Sequence, residues 1–164
     1  MRIRFMRLTL IVLIICGFHQ HTLSQTSQSE IKQLSEKSDV IITGKVTQQN
    51  ASWNESKTRI YTQATIQVDE YLKGNGNGSS LVVLYPGGEV GDVGEMYSHM
   101  PKFQDNEEVL VFLKKDEKSA NYKVFNGENG KISVISDPQT GEKVTSSNVR
   151  VNTLKAQIKS YIND

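Results

Sequence analysis

Ile60-Tyr61-Thr62-Gln63-Ala64-Thr65-Ile66-Gln67-Val68-Asp69-Glu70-Tyr71-Leu72 decides the fold. Ile60, Ala64, Ile66, Val68 and Leu72 recur at even spacing, and Tyr61, Gln63, Gln67, Asp69 and Tyr71 fall between them. A period of two is the signature of a half-buried strand. Upstream, Val40 to Thr47 alternates in the same way, with Val40, Ile42, Gly44 and Val46 on one face. Polar, turn-rich residues from Gln48 to Thr58 separate the two and carry the lone Trp53.

Downstream the same grammar continues. Lys73-Gly74-Asn75-Gly76-Asn77-Gly78-Ser79-Ser80 reads as a glycine-rich turn. Leu81 to Tyr85 is a short apolar run stopped by Pro86-Gly87-Gly88, and Glu89 to Met100 alternates weakly, with Gly91 and Gly94 as bulge signals. Pro101 to Glu107 reads as a loop anchored by Phe103. Val109 to Leu113 is apolar throughout, the pattern of a strand covered on both sides. Tyr122–Phe125, Lys131–Ile135 and Glu142–Val144 are further short strands between turn residues.

Helical spacing occurs only near the ends. Ser29 is positioned to cap a short helix carrying Ile31 and Leu34. Val149, Leu154, Ile158 and Ile162 predict a second helix over about 148–162, capped by Ser147 or Asn148, with Lys155 and Lys159 placed to favour its dipole. The expectation is a mainly β domain, a small OB-like Greek-key barrel with a short N-terminal helix and a C-terminal helix.

The first 24 residues read as an address. Arg2, Arg4 and Arg7 precede an apolar run from Leu8 to Phe18, and Thr22 and Ser24 have the spacing of a cleavage pair. The run is shorter than the ~20 residues a membrane span needs, so a secretory signal peptide is expected. An uncleaved anchor is the alternative. Ile15, bulky where a small residue should precede a lipidated cysteine, argues against lipoprotein anchoring at Cys16. Cleavage would leave a single domain over residues 25–164, secreted or periplasmic, with no integral span.

The chain has 164 residues and a net charge of +1, which excludes a strongly basic nucleic-acid binder. Loss of residues 1–24 removes three arginines, His19, His21 and Cys16, leaving a charge of −2, no cysteine and His99 as the one histidine. Thiolate catalysis, disulfides and cysteine-rich zinc sites drop out.

Ser38-Asp39-Val40-Ile41-Ile42-Thr43-Gly44-Lys45-Val46, Trp53, Ile60-Tyr61-Thr62, Val68 to Gly74, the Pro86 to Gly91 element, Pro101-Lys102-Phe103 and Asn106 to Leu113 together resemble a family of uncharacterised secreted prokaryotic proteins. The resemblance covers roughly residues 38–145. The Ser38-Asp39-Val40-Ile41-Ile42 start and Tyr71-Leu72-Lys73-Gly74 are more distantly similar to the netrin-like module, known from tissue inhibitors of metalloproteinases. That resemblance implies an OB-type barrel and a secreted protease as a partner. Those inhibitors chelate zinc through an N-terminal cysteine, which the mature chain would lack.

Three functional readings follow. The favoured one is a non-enzymatic binding module for a protein or another envelope component, with Trp53, Tyr61, Tyr71 and Tyr85 as ligand-binding aromatics and no cofactor or metal assigned. The second is a metal-dependent hydrolase centred on His99 with Glu89, Asp92 or Glu95. The third is a structural envelope protein.

Overall fold

The computed structural model describes residues 28–75, 78–117 and 119–163. The signal-peptide reading over residues 1–24 therefore lies outside the described residues. Among the described residues, nine strands and two helices follow in the order α1 (Gln28–Lys37), β1 (Val40–Trp53), β2 (Ile60–Lys73), β3 (Ser80–Pro86), β4 (Gly88–Val90), β5 (Val93–Glu95), β6 (Glu108–Lys115), β7 (Tyr122–Val124), β8 (Lys131–Ser136), β9 (Lys143–Thr145) and α2 (Val151–Asn163). A 3-10 turn, Gly127–Gly130, lies between β7 and β8.

The strands close into a ring β1-β2-β3-β7-β6 and back to β1, so the expected five-stranded OB-like barrel is present. All ring pairings are antiparallel except β3–β7, which meets in parallel at Val83 and Tyr122. β8 pairs with the first half of β6 along the same edge that β7 uses further on, β9 follows on β8, and β4 and β5 form a separate hairpin.

Two apolar layers explain the sequence pattern. Val40, Ile42, Val46, Ala64, Ile66, Val83, Phe103, Val109, Val111 and Leu113 fill the barrel. Ile31, Leu34, Ile41, Leu110, Phe112, Leu154 and Ile158 form a second cluster where both helices pack on its outer wall. The unbroken run in β6 thus serves both layers, with alternate residues facing in and out. β1, expected to be half-buried, is buried on both faces from Val40 to Gly44 because the helices cover it.

Charged groups hold the helices in place. Lys73 Nζ donates to the carbonyls of Ser35 (2.7 Å) and Glu36 (2.8 Å), placing a cation at the C-terminus of α1 where the helix dipole favours it. Lys155 and Lys159 of α2 reach Glu70 on β2, instead of acting only on their own helix dipole as the sequence suggests.

Several sequence expectations are corrected. β1 does not stop at Thr47 but runs to Trp53, so Gln48 to Trp53 is strand rather than turn. Past Lys45, β1 no longer pairs with β6 and becomes an edge strand, so polar residues persist along it while β2 stays paired with β3. Leu72 and Tyr71 exchange faces, Tyr71 packing against the barrel interior and Leu72 against the helices. The β1–β2 register skips Asp69 and Leu72, and each extra residue reverses the alternation. Ser29 lies inside α1, which begins at Gln28. Helix α2 begins at Val151, not near 148, because Asn148 takes a left-handed conformation (φ 61°) in a turn closed by Thr145. Neither Ser147 nor Asn148 caps it, and Val149 is exposed.

Candidate functional site

The Glu89 to Met100 stretch is a hairpin followed by a loop, and together they shape the main concavity. Gly91 takes a left-handed φ of 61° at the two-residue turn between Val90 and Val93. Gly88 lies so close to the β1–β2 pair that a Cβ on it would sit 2.4 Å from Thr62 Oγ1 and 2.9 Å from the Ala51 Cβ. Only glycine permits that approach, and its φ of 130° also favours glycine.

Named hydrogen bonds fix the hairpin over this end of the barrel. Thr62 Oγ1 donates to the Gly87 carbonyl at 2.7 Å, and the Gly87 N–H donates to the Ile60 carbonyl at 2.9 Å. Glu95 Oε2 accepts the Ile60 N–H (3.0 Å) and the Tyr97 hydroxyl (2.9 Å). Arg59 Nη1 donates to the Tyr97 hydroxyl at 2.9 Å and its guanidinium lies 5.7 Å from that ring's centroid.

Opposite the hairpin stands the loop around Phe103. Its ring is buried, 5.6 Å centroid to centroid from Tyr85, with Lys131 Nζ 5.5 Å over its face. Lys131 also donates to the Lys102 carbonyl (2.7 Å) and Glu107 Oε1 (2.5 Å), and Ser133 Oγ donates to the same carboxylate oxygen at 2.6 Å. Lys131 and Glu107 are both largely buried, so the loop is tied to β8 by a satisfied ion pair.

Between hairpin and loop runs a groove of about 820 Å³. Its floor carries Gln49, Ala51, Thr62, Tyr85 and Phe103, and its rim carries Glu89, Met96, Tyr97, Met100 and Lys102. The Tyr85 hydroxyl donates to Gln49 Oε1 at 2.9 Å, and Gln49 Nε2 donates to Asp105 Oδ1 at 3.0 Å. Burial pushes the Tyr85 hydroxyl above its ordinary value of 10.0, so it stays a proton donor. The side chain of Met96 points out of the fold at 81% exposure. The chemistry offered is contact and hydrogen bonding: aromatic and thioether surface edged by two carboxylates, Glu89 and Glu95, and one ammonium, Lys102.

The four aromatics named from the sequence do not gather. Tyr85 lines the groove. Trp53 and Tyr61 lie at the end of the β1–β2 pair on opposite faces, since Trp53 pairs with Ile60 and Tyr61 with Ser52. Tyr71 sits beside the β2–β3 turn, its hydroxyl donating to the Gly78 carbonyl at 3.1 Å. His99 meets Glu128 (Nδ1 to Oε1, 3.1 Å) rather than Glu89, Asp92 or Glu95, and its side chain is 85% exposed. Among the described residues no three or more His, Cys, Asp or Glu side chains are grouped to hold a metal, and no helix is long and apolar enough to cross a membrane.

Sequence reasoning missed Tyr97, Arg59 and Met96, and named Glu95 only as a metal partner of His99. The one available signal was the Pro86-Gly87-Gly88 to Gly94 glycine density, which marks a backbone lying close against another surface.

The chain matches no family model and no curated protein.

Proposed function

We propose that this chain is an exported binding module, without catalytic chemistry of its own, that engages a protein outside the cytoplasm through the groove between the β4–β5 hairpin and the Phe103 loop. One observation carries the reading: both walls of the groove are built and fixed by hydrogen bonds, while Met96 remains exposed on the hairpin side. Exposed apolar side chains beside a formed concavity are the usual mark of a contact surface, and thioethers adapt to the partner they meet. The resemblance to the netrin-like module makes a secreted protease the first partner class to try.

The test places a photo-crosslinking residue at Met96 in one version of the full chain and at Ile135, exposed on β8, in another. Both are produced in cells that make the protein. The reading expects a single saturable protein adduct from position 96 and none from 135. Equal, diffuse labelling from both positions would contradict it.

A further inference from the structure

We infer that Met96, His99 and Met100 form a site for a soft monovalent cation, Cu(I) or Ag(I). Outside residues 1–27 the chain has two methionines and one histidine, and all three fall within five consecutive positions. They line one depression of about 580 Å³ next to the groove, with Lys102 and Glu128 on its wall. Thioether sulfur and imidazole nitrogen together select Cu(I)-type ions over hard oxygen-seeking cations and do not depend on a carboxylate cluster.

Two details favour a site over a chance grouping. Met96 is 81% exposed, so its side chain has no packing role in the core. Lys102 Nζ donates to Met96 Sδ at 3.7 Å, and a bound cation would displace it. His99 is held in a left-handed conformation, φ 61°, in which a non-glycine residue is uncommon. Its carbonyl accepts the Glu128 N–H at 3.0 Å, and Gly127 packs so tightly that a Cβ there would lie 2.3 Å from the His99 oxygen.

The imidazole is oriented as a ligand would be. Its Nδ1 is engaged by Glu128 Oε1 at 3.1 Å, which leaves Nε2 for a metal and fixes the tautomer. Glu128 is thus a positioning residue, while the donor set consists of the two thioether sulfurs and the imidazole Nε2. The site shares Met96, Met100 and Lys102 with the groove rim, but its argument does not rest on the groove's taking a protein.

The test uses the full chain carrying Met6→Leu, Cys16→Ser, His19→Ala and His21→Ala, so that the thiol, imidazoles and internal thioether of the leader contribute nothing. Under anaerobic reducing conditions it competes for Cu(I) with a chromophoric chelator such as bicinchoninate. About one equivalent should be withdrawn from the chelator, and the ε-methyl resonances of Met96 and Met100 should shift together. Met96→Leu with Met100→Leu, and separately His99→Ala, should each weaken binding by about tenfold or more. Lys102→Gln should tighten it, because a competing ammonium is removed. Failure to withdraw Cu(I) from the chelator would overturn the inference. So would affinity and methyl shifts that survive the double methionine variant.

Discussion

The Tyr97 hydroxyl donates to Glu95 Oε2 at 2.9 Å. That same oxygen accepts the backbone N–H of Ile60 at 3.0 Å. A loop residue is thereby tied, through one carboxylate oxygen, to the start of a barrel strand. The hairpin wall of the groove depends on this shared acceptor.

Replacing Glu95 by alanine should therefore free the wall while leaving the barrel folded. Hydrogen bonds to a charged group are worth about 1.5–3 kcal/mol each, so the loss should be felt mainly in local opening. Amide hydrogen exchange at Ile60 and in β4 should accelerate, while amides of β6 keep their protection. Tyr97→Phe removes one of the two bonds and should have a smaller effect in the same residues. Uniform loss of protection across the barrel would contradict this.

Acid should loosen α2. Hydrogen bonds from Lys159 and Lys155 hold the Glu70 carboxyl below its ordinary value of 4.5. As pH falls the unfolded chain takes up that proton first. The stabilisation is therefore complete above pH 4.5 and is lost as pH falls through the lower folded value. Asp39, held down by hydrogen bonds from Lys114 and the Lys115 N–H, and Asp137, held down by the N–H groups of Thr140 and Gln139, act in the same direction. Glu70→Gln should make the fall of the thermal midpoint below pH 4.5 shallower without abolishing it. An unchanged acid limb would show that the contacts from α2 carry no net stabilisation.

Gly44→Ala should be among the most damaging single-methyl changes. A Cβ at this position would lie 2.3 Å from the Gln67 carbonyl oxygen and 2.9 Å from Ile66 Cγ2. The β1–β2 pair must shift to admit it, and overpacking of this kind typically costs about 1–3 kcal/mol. Gly141→Ala is the comparison for backbone strain alone, since its added Cβ meets nothing within 4 Å and its φ is 71°. Denaturant midpoints of the two variants separate crowding from strain.

The barrel was legible in the sequence because its strands carry the period of two, and β6 because an apolar run that short must be covered on both sides. Leu72 and Tyr71 were misplaced because the skipped residue at Asp69 inverts the faces, and the one at Leu72 restores them, without any change of composition. The extension of β1 to Trp53 was hidden because a polar edge strand resembles a loop in its residues. The groove was the least legible feature. It assembles Gln49, Tyr85, Glu95 and Phe103 from four separate segments, and spacing along the chain carries no trace of such a meeting. The aromatics chosen from composition were spread over the end of the β1–β2 pair, the β2–β3 turn and the groove, because each packs with its own strand partners.

The most direct measurement of the central claim is the concentration dependence of crosslinking from Met96 to a protein outside the cytoplasm. Lys102 stands on the groove rim and is exposed, so Lys102→Glu changes the charge of the binding surface with little cost to the fold. The account predicts a saturable adduct whose half-saturation moves to higher concentration with Lys102→Glu. An adduct that rises without saturating, and is indifferent to Lys102→Glu, would contradict it.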